Sequence, residues 1–424
     1  TVLKGGAATA LYDIRAANGA VIITTKSAKV DKLSIQYSGS YGIEQVNKSP
    51  KVETKFTQGY EGEYDSTSFW PSWGPTVEEA RKTDKTHPAK LFDNYKRAYR
   101  NGNVFRQYIS VSGGSETLQL GGDFAYNKQN GVIPFSDFTS YNTRVFGGVK
   151  MSEKFRAGFS LNYINNGGSR VNADLYGEEL AYWSPRWDVT DYINPDGTQK
   201  TYGPDTDNPV YALATNRFFD NVNRTISSVN FQYKPFNWLN FTYRFGNDIY
   251  TDNRDYHAPG PIGIVNEKVN ESNGFGFVNE TFLKNRVITS TLIANISHTF
   301  NNQISFNLNL GHDLTDKKYK RVSTFGDTLV VNDLFLLQNA KKVTGDNYLE
   351  DYRNYGFFAD MTIGYKNAIF LNLTGRQDNT STLNPKNRTY YYPSASLSWV
   401  FTDFFDLSNQ QSWLSYGKLK TSFA

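Results

Sequence analysis

Apolar and polar residues alternate with a period of two through most of the chain. Between positions 33 and 43, Leu33, Ile35, Tyr37, Tyr41 and Ile43 share one face, with Ser34, Gln36, Ser38 and Ser40 on the other. That is the pattern of a strand lying between two unlike environments. The same alternation returns at 118–126, 155–163, 229–233, 239–245, 288–296, 304–310, 357–365, 369–373 and 395–401, and more weakly at 109–111, 145–149 and 419–423. About thirteen amphipathic strands are expected, each of roughly ten to twelve residues. At ~3.3 Å per residue and ~45° of tilt, such a strand crosses an apolar band ~25 Å tall.

The connections alternate between short and long. Tight turns are expected at 113–117, 151–154, 234–237, 301–303 and 365–368, and long excursions at 44–104, 127–140, 165–223, 251–285, 315–350 and 379–391. All long loops then fall at one end, as in an antiparallel transmembrane β-barrel with tight periplasmic turns. A longer inner turn at 402–412 is the one irregularity. A soluble sandwich or propeller also has period-two strands, but propeller blades repeat at a fixed length and these loops do not. The polar strand face carries Gln36, Asn162, Asn230, Gln232, Asn240, Arg244, Asn307, Asn309, Asn372 and Arg376. These residues suit a wet lumen, filled by water or by a plug, better than a packed interior.

Composition narrows the picture further. Only 38% of residues are hydrophobic, and no apolar run approaches the ~20 residues of a spanning helix, so a helical membrane protein is excluded. Aromatics at 16% and 34 glycines fit barrel strands ending in aromatic girdles. Forty-five Lys and Arg against 41 Asp and Glu give a dispersed +4, which does not mark a nucleic-acid surface. Cysteine is absent, and His87, His257, His298 and His312 are scattered without metal-site spacing, so no metal or cofactor is expected. His312 and Asp313 are strand neighbours facing opposite ways and cannot form a catalytic dyad. The tracts 194–197 and 205–208 carry calcium-type oxygens without the loop spacing, and turn chemistry accounts for them. No converged acid, base or nucleophile is visible, so the chain is not expected to be an enzyme.

Trp70, Trp73, Trp183 and Trp187 lie in outer loops, where an aromatic face can stack on a sugar ring or simply pack the loop. Arg376 and Asp378 face the lumen, either lining a ligand path or bridging barrel to plug. Before the first strand, 2–13 reads as a short small-residue helix and 15–26 as a turn into a buried strand, a scrap of α/β structure joined to the barrel.

This opening, with Lys4, Gly5, Tyr12, Arg15, Asn18 and Gly19, resembles the end of the plug domain in the SusC/RagA family of TonB-linked outer-membrane transporters. It departs at Asp13, where the family usually has glycine. Residues 375–381 and 392–399 resemble two further family stretches, with Thr380 and Tyr392 as departures, and 414–423 resembles the strand that follows them. The resemblance implies that residues 1–30 are the end of the plug and 31–424 the N-terminal part of a barrel, about thirteen of an expected twenty-two strands. The start at Thr1, without a leader, fits a position inside a longer protein. It further implies TonB-dependent import of a bulky oligosaccharide or oligopeptide across the bacterial outer membrane. The implied partners are outer-membrane lipid, the TonB complex and a SusD-like lipoprotein lid, with a dimer of transporter–lid pairs left open. A passive porin and an outer-membrane enzyme barrel remain as alternatives.

Overall fold

The computed structural model describes residues 32–66, 72–202, 207–260, 275–405 and 414–423, plus the backbone of a short antiparallel pairing of Val2–Leu3 with Ala20–Val21. Val2 and Leu3 are therefore strand, where the sequence suggested the start of a helix. The plug-like residues Lys4, Gly5, Tyr12, Arg15, Asn18 and Gly19, and Trp70 in the first outer loop, lie outside the described residues.

One 13-stranded sheet dominates, each strand hydrogen-bonded to its sequence neighbour. Its strands are β1 (Ser34–Glu44), β2 (Gly102–Gly114), β3 (Leu118–Asn130), β4 (Asp137–Lys150), β5 (Phe155–Arg170), β6 (Arg217–Phe236) and β7 (Leu239–Ala258). They continue as β8 (Phe277–Phe300), β9 (Ile304–Leu329), β10 (Ala340–Tyr365), β11 (Ile369–Thr380), β12 (Thr389–Val400) and β13 (Lys418–Phe423). Each matches one of the segments expected from the alternation, and the strictly sequential antiparallel order is that of a partial β-barrel and not of a sandwich or propeller.

Register aligns the apolar faces across the sheet. Ile35 lies beside Val111, Ile109 beside Phe124, Val145 beside Leu161, Val229 between Phe159 and Phe245, and Tyr243 beside Leu292. Ala294 lies beside Leu310, Met361 beside Leu373, and Leu371 beside Leu397. Most of these large side chains are well exposed, so the sheet presents an apolar band outward, uncovered by the described residues. A soluble protein would bury such a band; a barrel wall gives it to lipid.

The tight turns follow backbone chemistry. Asn301 and Asn302 sit at φ 49° and 54°, and Lys366 and Asn367 at 50° and 54°, the left-handed central pairs of the β-turns 300–303 and 365–368 in three-residue connections. Between β6 and β7 the register shifts at Tyr233 and Phe236, around Pro235, which has no N–H to give the ladder.

Strand length departs from expectation. β6 to β10 run to 20, 20, 24, 26 and 26 residues, so the long loop expected at 315–350 is largely strand, the one at 251–285 is strand at 251–258 and 277–285, and the one at 127–140 shrinks to 131–136. Twenty-six residues rise roughly 60 Å at ~45° of tilt, more than twice the apolar band. On β9 the outward positions Ile304, Phe306, Leu308, Leu310 and Leu314 give way to Asp316, Lys318 and Lys320. Above the lipid both faces are wet, the hydropathy alternation ends, and the hydrogen-bond ladder continues because neighbouring strands extend together. The irregular inner turn opens with one helical turn at Phe401–Phe404.

The clustered apolar core sits in the loops, with Phe277, Val278, Leu283 and Phe358 buried on the strands. Loop 45–101 carries α1 (Val77–Thr83) and α2 (Asn94–Arg97), and loop 171–216 carries α3 (Ala173–Tyr182) and α4 (Pro209–Thr215). Ala98 from the first loop packs with Tyr176, Leu180, Trp183, Val189, Val210 and Leu213 from the second, and Ile133 and Phe135 join from the loop between β3 and β4. Asn94 ties the two long loops together: it accepts from Val189 N–H at 3.1 Å and donates to Trp187 O at 3.0 Å.

Candidate functional site

The candidate site is the inner face of the wall and the loop layer at its outer end. Low on the wall, amides form a ladder across strands. Asn295 donates to Asn309 at 2.8 Å, Asn309 to Asp360 at 3.3 Å, and Asn372 to Asp360 at 2.7 Å and Thr362 at 3.0 Å. Arg144 donates to Ser160 at 3.0 Å beside a recess of about 700 Å³ that Asn162, Asn230 and Gln232 also line. Thus Asn307, Asn309, Asn372 and Arg376 are bonded along the wall, while Asn162, Asn230 and Gln232 line the recess, with capacity left for water or a polar ligand.

Higher on β9 and β11, Arg376 forms the densest charge cluster. Its side chain is 0% exposed; Nη2 donates to Asp313 at 2.9 Å and Nε to Asp378 at 2.7 Å, and the guanidinium lies 5.6 Å from the centre of the Phe358 ring. A Cβ on Gly356 would run into the Asp378 carboxylate, and one on Gly311 into Phe358, so both glycines make room for the cluster. Within the wall, Arg376 therefore pairs with both Asp313 and Asp378. His312, the neighbour of Asp313, turns to the other face and packs its ring against Phe357, as strand parity requires.

In the loop layer the aromatic residues divide. Trp183 is 4% exposed within the loop core and donates its indole N–H to Trp187 O at 3.0 Å, so its faces are already covered. Trp187 stacks on Tyr202 at 4.3 Å with Arg186 against it at 5.1 Å. Trp73 is 70% exposed and presents its ring to solvent. At the tip of the second loop, Asp196 accepts from Thr198 N–H at 3.0 Å and Gly197 adopts φ 88°, a turn without cation geometry.

Asp84, Arg186 and Tyr64 clamp the two long loops a second time. Arg186 reaches Asp84 at 2.5 Å and Tyr64 at 2.7 Å. The Thr86 hydroxyl above all, then Tyr64 and Arg186, hold the Asp84 carboxyl well below the usual carboxylate range, and burial first pushes the Tyr64 phenol up to about 12. A carboxyl whose pKa is depressed on folding stabilises the fold above its unfolded pKa of ~3.9, and that contribution is lost as pH falls through the folded value. Amide exchange in 45–101 and 171–216 is therefore expected to accelerate below about pH 4 while the strands stay protected, and Asp84→Asn should accelerate it already at neutral pH. Equal protection of the variant and the native chain at both pH values would contradict the clamp.

Sequence reasoning missed Asp313, Asn94, the Asp84–Arg186–Tyr64 set and Glu179 of α3. Asp313 was legible in principle, because parity puts it on the face of Asn307 and Asn309. The loop residues carry no periodic signal, since their neighbours come from a distant segment.

A sequential antiparallel wall with an apolar outer belt, a polar inner face and a packed outer loop layer defines part of an outer-membrane β-barrel of the transporter type. No family model matches the chain. Among curated proteins it is similar to TonB-dependent receptor P26 of Formosa agariphila, 23% identical over 451 residues that cover 99% of this chain and 42% of the relative. It is also similar to TonB-dependent receptor SusC of Bacteroides thetaiotaomicron, 24% identical over 256 residues, 55% of this chain and 24% of SusC. Among solved structures, the RagAB peptide importer in its open-open state shares the fold at a TM-score of 0.77 and 20% identity, over 99% of this chain and 50% of that one. The chain spans less than half the length of these curated relatives. In sequence and fold the chain is similar to a SusC/RagA-type stretch of the TonB-dependent receptors of the bacterial outer membrane.

Proposed function

We propose that the whole protein imports a bulky polar nutrient, an oligosaccharide or oligopeptide, across the outer membrane under TonB control. Residues 1–30 are then the end of the plug, on which TonB acts from the periplasm, and 31–424 the N-terminal part of the barrel. The carrying observation is the inner wall, a continuous surface of amides and ion pairs from Asn295 and Asn372 up to Arg376. Such a surface suits a polar cargo or a plug that must slide past it, and a likeness to a peptide importer supports the oligopeptide arm. Trp73 offers the open aromatic face for a ring of the cargo, whereas Trp187 is covered by Tyr202 and Arg186.

A SusD-like lipoprotein lid rests on the loop layer in this reading. Because 45–101 and 171–216 share one core, they act as one docking platform. Deleting both from the full-length transporter is expected to abolish co-purification of the lid and TonB-dependent growth on the nutrient. A lid that still co-purifies after the double deletion sinks this part of the reading.

A further inference from the structure

Between α3 and α4 lies a hollow of about 350 Å³, open toward the inner side of the wall. Its floor is Arg170, Phe218 and Tyr256, register neighbours at the outer ends of β5, β6 and β7. By parity with Asn162, Asn230 and Arg244 all three stand on the inner face, so the hollow faces the mouth of the lumen. Its sides are mostly apolar, from Leu175, Tyr176, Pro209 and Leu213.

One acid breaks that lining. Glu179 contributes to the hollow, and its Oε2 is shielded from solvent with no hydrogen-bond partner among the described residues. The charged groups around it are unbalanced. Arg170 gives Nε and Nη2 to Asp220, at 3.1 and 3.0 Å, while Glu178 and Asp207 add negative charge and Asp207 accepts from the neutral Gln199 amide at 3.0 Å. Tyr176 donates its hydroxyl to Ala98 O and is not available to the carboxyl. A carboxyl oxygen shielded from water without a donor is unfavourable unless something supplies one.

We propose that this hollow is a subsite for a cationic nitrogen on an apolar stem, an ammonium or guanidinium group carried by the cargo, with Glu179 as its counter-ion. The subsite rests on the import reading and adds to it a preference for amine-bearing cargo. Burial first, then Asp207 and Glu178, push the Glu179 carboxyl up to about 8, so the empty site holds a proton that an entering cation displaces. Cation affinity then rises with pH up to about 8 and levels off above it.

The test uses the full-length transporter with its partner and two probes, n-hexylammonium and n-hexanol, followed by ligand-observed NMR or calorimetry. Hexylammonium is expected to bind at least about tenfold more weakly to Glu179→Gln, with hexanol unchanged, because only the cation needs the carboxylate. Wild-type affinity for the cation should climb between about pH 6 and 8, and the variant's should be flat. Glutamine is isosteric with the protonated acid; if it nevertheless prevents folding, the wild-type pH profile decides alone. Equal hexylammonium affinity in the two proteins, or a flat wild-type profile, overturns the subsite. Nutrient uptake with and without TonB is scored separately in the same strain. TonB-dependent uptake with hexylammonium ignored rejects the subsite alone, and hexylammonium binding with TonB-independent uptake rejects the import reading alone.

Discussion

Replacing Arg376 by alanine is expected to destabilise the folded barrel by about 3–5 kcal/mol, the largest single effect foreseen in the wall. The guanidinium is fully covered and lies between Asp313 and Asp378, whose side chains are 20% and 6% exposed. Without it the Asp313 and Asp378 carboxylates lose the cation they share in a poorly solvated corner. The residual exposure of Asp313 lets water screen part of the repulsion, which puts the effect toward the lower end of that range. Arg376→Met combined with Asp313→Asn should recover most of the loss, because it removes a charge from each side. The measurement is the urea midpoint for loss of heat-modifiable gel migration in detergent micelles. A variant within about 0.5 kcal/mol of the native barrel would show that the cluster is not what holds β9 to β11.

The second large effect separates two adjacent residues of β6. Val229 sits in the apolar belt between Phe159 and Phe245, and Ser228 points to the inner recess. Arginine at Val229 is expected to cost about 2–4 kcal/mol, because its charge must enter hydrocarbon near the middle of the belt. The same residue at Ser228 enters a polar, water-accessible space and should cost less than about 0.5 kcal/mol. Folding yield into vesicles and urea midpoints for the two variants check this directly. Equal penalties would mean that the belt does not face lipid.

These expectations also mark how far the sequence could be read. Every strand of the wall was visible, because a barrel wall repeats one local rule, apolar out and polar in, and lipid enforces it residue by residue. The strand ends were not visible. Past Leu314 on β9 and Tyr355 on β10 both faces meet water, so the alternation that reveals a strand disappears while the ladder that makes it one goes on. The lumen residues were legible by parity, but their partners were not. Nothing in the sequence around Arg376 says that Asp313, 63 positions earlier, is the residue it reaches.

The outer loops were the least legible. Their tryptophans suggested loop packing more than ligand contact, and the structure buries Trp183, sandwiches Trp187 and leaves Trp73 open, with Trp70 outside the described residues. Asn94 joins segments more than ninety residues apart, and Glu179 gains its unusual surroundings only because α4 closes over α3.

By itself, the sequence determined the number and order of the strands, their inward and outward faces, and the end of the barrel that carries the loops, since all of these follow from local periodicity and turn chemistry. Only the tertiary structure decided how far the strands rise above the membrane, which charges neutralise one another across the wall, and that two distant loops share one core. Those depend on the register between neighbouring strands and on contacts between segments far apart in the chain, and no local pattern encodes them.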